Sequence, residues 1–413
     1  MNKCPTVVGK QRSFVEEYLI RNAIYDLSDI TGYTKQQYRM FVSNCPNLSD
    51  NQKKVYSNTL EPFIMYHLVD DYPEIRNGII NNTSMERCMR NKIGLYLMEQ
   101  GVRSVENITP DVRTGFEAYL RSTISERKAA EYVKGLDKIK LESIRHENES
   151  KPFVQHKLKA VSEKVFLGYH PDYAIAMSLY YCQDKSKLLY DFTKVSETVS
   201  LQIIAFLNWV FENQKKAKLR HDIYLLPLHR LFDYIINNSI TDIELMDAKE
   251  ILGYRESVSG KVGTKDTEYF QIVYMIQNFL FCHDKKTRWE ASSWFLNRFD
   301  ALKKKRMNPA NMINRISFWE IENIENRQFL KDYMRYEISL SDKAVQRIRD
   351  NFYNIKSFLQ FCDEHSYFVK NINKDILDDY AGYLNLLDIA AQTYNKRINV
   401  VFQFWDFLVV EKV

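Results

Sequence analysis

The sequence predicts an all-α protein made of several small helical bundles in series, and three observations carry that expectation. Only 12 Gly and 9 Pro punctuate 413 residues, too few for the many tight turns of an all-β chain and compatible with long uninterrupted helices. Apolar residues make up 45% of the chain and recur at spacings of three and four, the period of a helix with one buried face. A single hydrophobic core rarely grows beyond roughly 250 residues, so a chain of this length calls for two to four domains. Composition sets the expected boundaries. "IRHENESKPF" at 144–153 is polar and contains Pro152, and reads as a linker or surface loop. "RESVSGKVGTKDT" at 255–267 holds a Gly-x-x-Gly and reads as a flexible loop, and 303–326 reads as a joint. These divide the chain into an amino-terminal helical region at 1–145, holding one or two bundles, a middle helical domain at 154–306, and a last bundle at 327–413.

Several classes are excluded by composition. No run of eighteen apolar residues occurs, and Met1-Asn2-Lys3-Cys4-Pro5 leads into polar sequence rather than a signal-peptide core. The expectation is a cytoplasmic protein that neither spans a membrane nor is secreted. The six cysteines, Cys4, Cys45, Cys88, Cys182, Cys282 and Cys362, stand singly with no histidine at zinc spacing, and are expected to be reduced core thiols, with no metal and no cofactor. The net charge of +5, from 58 Lys+Arg against 53 Asp+Glu, is too weak to name a partner by itself. Local clustering says more. Residues 285–306, "KKTRWEASSWFLNRFDALKKKR", hold eight basic and two acidic residues with Trp289, Trp294, Phe295 and Phe299 interleaved. The aromatics supply a buried side, and the bases, Lys303, Lys304, Lys305 and Arg306 above all, leave a cationic side suited to a phosphate backbone.

Residues 327–413 read as four helices. A short first helix lies around "RQFLKDYMRYEI". Ser341 and Asp342 are N-cap candidates for a second, in which Val345, Ile348, Phe352, Ile355, Phe358, Leu359 and Cys362 form one stripe. After an extended lead-in and a polar turn at 371–374, a third helix turns Ile376, Tyr380, Tyr383, Leu384 and Leu387 inward. The fourth, "AAQTYNKRINVVFQFWDFLVV", is expected to bury Tyr394, Ile398, Val401, Phe402, Trp405, Leu408 and Val409.

"FLQF" at 358–361, "VKNINKDILDDY" at 369–380, "QTYNKR" at 392–397 and "FQFWDFLV" at 402–409 together resemble the SAM-like core-binding domain of tyrosine recombinases of the phage-integrase type. The resemblance implies a four-helix domain that clamps one side of a recombination site, with the starts of its second and fourth helices approaching the DNA. Carried onto this chain, it implicates Ser341 and Lys343 at the head of the second helix, and Thr393, Asn395, Lys396 and Arg397 at the head of the fourth. Helix N-termini present unpaired N–H groups to phosphates, and these side chains add charge and short hydrogen-bonding arms. Arg347, one turn along, can reach a phosphate or a guanine edge. The segment is balanced overall, with 12 Lys+Arg and 12 Asp+Glu, but Asp375, Asp378 and Asp379 concentrate on the third helix.

The pattern of an "I-[TN]" helix start followed by a second, base-containing helix recurs upstream. The copies are "DLSDITGYTKQQYRMFV" with "SDNQKKVYSNTLEPFIMYHL", where Ser49 and Gln52 have capping-box spacing, "SVENITPDVRTGFEAYL" with "TISERKAAEYVKGLDKIKL", and "NSITDIELMDAKEILGY" with "GTKDTEYFQIVYMIQNFLFC". If these copies share the last domain's role, Lys53, Lys54, Arg127, Lys128, Lys261 and Lys265 extend the DNA footprint.

No catalytic set is legible. Tyrosine recombinases need Arg, Lys, His-x-x-Arg, a further His or Trp, and a Tyr nucleophile that attacks phosphorus while the cations stabilise the extra charge. None of the eight histidines has Arg at the third position after it, and "LPLHRLFDY" at 226–234 turns Arg230 away from the face of His229. The chain stops at Val413 directly after the last helix, so the expectation is a non-enzymatic, DNA-binding amino-terminal portion of a recombinase or transposase that serves integration or excision of a mobile element. Its expected partner is double-stranded DNA, with self-association on the DNA. Two alternatives stand beside it: a helical protein-interaction scaffold, and a regulatory DNA binder that competes with a full recombinase.

Overall fold

The computed structural model describes residues 9–30, 32–82, 84–159, 163–180, 182, 184–259, 266–299, 302 and 315–410. Helices dominate, and the strands are three-residue pieces such as Ser293–Phe295 and Arg315–Ser317, so the chain is all-α. Among the described residues, no helix is long and apolar enough to cross a membrane.

Contacts divide the chain into two compact units, Met1–Lys157 with Lys164–Leu189, and Leu158–Glu163 with Tyr190–Val413. That division differs from the three stretches expected from composition, for local reasons. Most of 144–153 belongs to the helix Glu126–Ser150, which buries Ile144; its polarity is that of a helix's solvent side. The expected loop at 255–267 begins inside the helix Ala248–Val258, and its residues 260–265 lie outside the described residues. The expected joint at 303–326 contributes a strand: Arg315–Ser317 pairs antiparallel with Ser293–Phe295, setting Trp294 opposite Ile316. Ile316, Phe318 and Ile321 then share one core with Trp294, Leu330, Phe352 and Phe404. The cysteines are not uniformly core residues either, since Cys362 is buried but Cys88 is exposed.

The first unit holds one core around Val15, Leu19, Tyr38 and Phe63 and another around Ile93, Leu97, Phe116 and Leu136. Beside the latter, the buried Asp137 accepts from Arg113 at 2.8 and 3.2 Å, from the Tyr169 hydroxyl at 2.9 Å and from Lys185 at 2.7 Å. Three donors on one carboxylate meet the requirement that a buried charge be paired and hydrogen-bonded.

In the second unit, the carboxy-terminal helices are Ile324–Ser339, Val345–Glu364, Lys374–Leu386 and Ala391–Val410. Every residue of the stripe expected on the second is buried. On the third, Leu387 is exposed rather than inward. On the fourth the register is rotated: Phe402 and Val409 are 42% and 62% exposed, while Val400 and Phe404 are fully buried. Its end is apolar on nearly every side, so periodicity alone offers two faces. Packing chooses between them, with the Tyr333 ring edge-on to Phe404 at 5.4 Å and to Phe407 at 5.2 Å.

One unit of architecture recurs four times among the described residues. A helix ends at a residue with positive φ, Ala23 (56°), Gly101 (70°), Ser239 (54°) or Ser366 (58°). The next residue's N–H then folds back onto the carbonyl five positions earlier: Ile24 onto Leu19 at 2.9 Å, Val102 onto Leu97 at 2.9 Å, Ile240 onto Ile235 at 3.1 Å and Tyr367 onto Cys362 at 2.7 Å. This is the Schellman closure, which satisfies carbonyls that a helix end leaves open. Short 3-10 turns follow at Leu27–Asp29, Val105–Asn107 and Val369–Asn371. The next helix starts at Gly32, Pro110, Ala248 or Lys374, nine residues after the turn in three copies and eight in the last. Thr109, Asp247 and Asn373 cap it by accepting from Val112, Glu250 and Ile376. The third copy therefore aligns on Met246-Asp247, six residues beyond the "IT" at Ile240-Thr241 expected from sequence. The capping box of Ser49 and Gln52 is formed in both directions.

Left-handed backbone costs a residue with Cβ roughly 1–2 kcal/mol, partly offset by the chain entropy that glycine loses. Ser366→Gly should accordingly raise stability by about 0.5–1 kcal/mol, and Gly101→Ala should lower it by about 1 kcal/mol. Urea midpoints test both, and equal midpoints for the two variants would contradict the assignment.

Lys331 generates a pH-dependent prediction. Its ammonium is buried and donates to the Glu290 carbonyl at 2.6 Å; burial, reinforced by the charge of Arg327, brings its pKa down from 10.5 to about 8. Because the folded value lies below the unfolded one, the penalty for burying the charge is fully present below pH 8 and is relieved as pH rises toward 10.5. Stability should climb by on the order of 1–3 kcal/mol over that interval, and Lys331→Met should flatten the climb in denaturant melts at successive pH values.

Candidate nucleic-acid interface

The second carboxy-terminal helix does not begin as expected. Its N-cap is Ala344, which offers no side-chain bond, rather than Ser341 or Asp342. Ser341 serves the preceding helix, donating its hydroxyl to the Glu337 carbonyl at 2.9 Å. The first turn closes on the backbone instead, with the N–H groups of Arg347 and Ile348 donating to the Ala344 carbonyl at 2.8 and 3.1 Å. Arg347, one turn in, is exposed and makes no ion pair among the described residues.

Lys343 and Lys396 are held more closely than free phosphate-binding arms would be. Lys343 donates to Glu337 at 2.7 Å and to Gln403 at 3.3 Å, and Lys396 donates to Asp350 at 2.7 Å. The Lys343–Gln403 and Lys396–Asp350 bonds run the second and fourth helices antiparallel along one seam, with 343 beside 403 and 350 beside 396. Seven residues of helix separate the bridges, about 10 Å. The heads of the two helices therefore face opposite ends of the seam instead of meeting at one point. Thr393 and Asn395 are exposed at the fourth helix's head. Arg397 is half-buried and turns toward the third helix, where its charge opposes the burial that pushes the Tyr380 hydroxyl up to about 12.

The two bridges differ in kind. Both Lys396 and Asp350 keep contact with solvent, at 39% and 25% side-chain exposure, so parting them costs little. Glu337 is 1% exposed. Around it lie the Tyr333 hydroxyl, held protonated by burial and then by Glu337, and the fully buried amide of Asn351. Glu337 and Asn351 escape a search for basic residues. Their signal is positional, as polar side chains on apolar tracks: Glu337 follows Leu330, Tyr333 and Met334, and Asn351 sits between Ile348 and Phe352.

The basic segment at 285–306 is not a uniform cationic face. Arg288 binds Asp242 at 2.6 Å and Glu244 at 3.1 Å, and Arg298 donates to the carbonyls of Phe281 and Asp284 and to Thr287. Both hold the fold. Lys285 and Lys286 are exposed, and Lys303, Lys304, Lys305 and Arg306 lie outside the described residues. Upstream, Lys54, Arg127 and Lys128 are exposed, Lys53 is half-buried, and Lys261 and Lys265 fall outside the described residues. Among the described residues, no group of three or more His, Cys, Asp or Glu is placed to hold a metal ion. No protein-family model, curated protein or solved structure matches the chain.

The contrast between the bridges is measurable. Lys343→Met leaves the Glu337 carboxylate buried without its cation and should cost about 3 kcal/mol, whereas Lys396→Met should cost no more than about 1 kcal/mol. Equal losses in denaturant melts would show that Glu337 does not depend on Lys343.

Proposed function

We propose that the chain is a cytoplasmic, non-enzymatic DNA-binding portion of a tyrosine-recombinase-like system, holding duplex DNA of a mobile element for strand exchange. The observation that carries this reading is the seam: Arg347 without an ion pair, and Lys396 in an easily parted one, lie along a pair of packed helices whose sequence has the core-binding pattern. A cation released from a solvent-exposed bridge trades one carboxylate for a phosphate, and its counterion release makes the binding salt-dependent. Arg347 and Lys396 are the principal contacts, with Thr393 and Asn395 as hydrogen-bonding arms; Lys343 stays with Glu337.

A second reading, a protein-interaction scaffold, is favoured by one feature. The outer side of the last helix leaves Phe402, Val409 and Val410 exposed, an apolar surface that a protein partner would cover.

Fluorescence anisotropy with a labelled duplex from the end of the carrying element, against a scrambled duplex at two salt concentrations, separates the two. Tighter and salt-sensitive binding to the element's end is expected. Lys396→Ala with Arg397→Ala should weaken it and lower the log–log salt slope by about 0.9 per lost phosphate contact; Arg347→Ala should lower the slope by a similar step. No binding to either duplex at low salt would leave the scaffold as the better account.

A further inference from the structure

The second unit carries an aromatic cluster that the seam does not use. Trp209, near the end of the helix Glu197–Asn213, meets Phe279 at 5.5 Å and His283 at 6.2 Å, both near the end of the helix Asp266–His283. His283 stacks on Phe279 with ring centres 4.9 Å apart and is anchored by a bond between its Nδ1 and the Phe279 carbonyl at 2.9 Å. Tyr224 closes the group, edge-on to Trp209 at 6.4 Å. Trp209, Tyr224 and Phe279 are half-buried, and His283 is exposed. The cluster thus has a packed underside and an open edge.

The chain leaves both helices into lysines. Lys215, Lys216 and Lys218 follow the first and Lys285 and Lys286 follow the second; all five are exposed, and none makes an ion pair among the described residues. The acids in the same stretches are Glu212, Asp222 and Asp284; Asp222 is engaged by His221, and the backbone carbonyl of Asp284 takes Arg298. Arg220 is not available to a ligand, being buried over the Phe211 ring. Exposed cations that follow both helices of an open aromatic edge match a polyanion that also presents flat π-faces. A duplex keeps its bases stacked inside, whereas a single strand offers phosphates and bases together.

We infer that Trp209, Phe279 and His283, with Lys215, Lys216, Lys218, Lys285 and Lys286, form a binding site for single-stranded nucleic acid. Bases stack on the open edge at His283 and Trp209, and the lysines follow the backbone. The site shares no residue with the seam and does not rest on the duplex reading, so either can fail alone.

The test uses the full chain and three labelled probes: a short oligothymidylate, an abasic strand with the same number of phosphates, and a duplex of the same length. Oligothymidylate should bind best, quench tryptophan emission, and lose affinity with salt at about 0.7 in log–log slope per phosphate contacted. Replacing the bases by abasic positions, or His283→Ala, should weaken binding roughly tenfold, as expected for one lost base stack. Lys215→Glu with Lys216→Glu, and Lys285→Glu with Lys286→Glu, alter exposed residues only and should each weaken binding further. Trp209→Phe keeps a ring in the cluster while removing its indole from the quench. Equal affinity for the abasic strand, preference for the duplex, wild-type binding by the His283 and lysine variants, or no binding at low salt would each overturn the proposal.

Discussion

The way helices end in this chain constrains everything that follows each of them. A helix leaves its last carbonyls without partners, and a chain that must turn back into the same core has little space in which to satisfy them. Here a single residue enters the left-handed region at Ala23, Gly101, Ser239 and Ser366. The N–H after it closes the open end, and in two copies that next residue, Val102 or Ile240, is itself buried. Because the closure fixes both the direction of the exit and the residue that re-enters the core, the start of the next helix falls eight or nine residues on in every copy. The first of the two helices forming the carboxy-terminal seam ends in such a closure, at Ser366, and the second is reached through the turn and capped helix that follow. The geometry offered to a ligand is thus set partly by backbone hydrogen bonds remote from any charged side chain.

How far this was legible in the sequence depends on which interaction writes the signal. The stripe from Val345 to Cys362 was readable because one face of a long helix does most of the burying. The caps at Thr109 and Asn373 were readable because a short polar side chain after isoleucine does the capping. The turns themselves were not. Three of the four closures among the described residues turn on Ala or Ser, and a closure built on such a residue carries none of the glycine signal by which a helix end is usually recognised. The face of the last helix was also ambiguous, since Val400 to Val410 offers two apolar tracks and the Tyr333 ring decides between them. The polar stretch at 144–150 was ambiguous for a related reason: polar composition marks solvent, and the outer side of the helix Glu126–Ser150 is as wet as a linker.

Charge was the least legible property, because a sequence counts cations without their partners. Arg288 is neutralised by Asp242 and Glu244, more than forty positions earlier, and Arg298 serves carbonyls. Neither is available to a phosphate, although both lie in the most basic stretch of the chain. Lys285 and Lys286 in the same stretch are open. The distinction follows from the fold: the arginines have planar, multi-donor heads that can satisfy several buried acceptors at once, whereas the two lysines sit beyond a helix end where nothing packs over them.

Along the seam the same logic ranks the cations. Tyr333, Glu337 and Asn351 bury polar groups that apolar residues of similar size could replace at little or no loss of stability, so stability alone does not account for them. Among them Glu337, together with Gln403, holds Lys343 in place between the first, second and fourth helices. An anion that drew Lys343 outward would leave the Glu337 carboxylate in the core without its cation, a loss of several kcal/mol that a single surface phosphate contact does not return. Lys396 has no such tie, since Asp350 keeps its own access to water and to Gln346. Lys343 therefore sets the relative placement of the helices, and contact with an outside anion falls to Arg347 and Lys396, whose charges can move without unsealing the core.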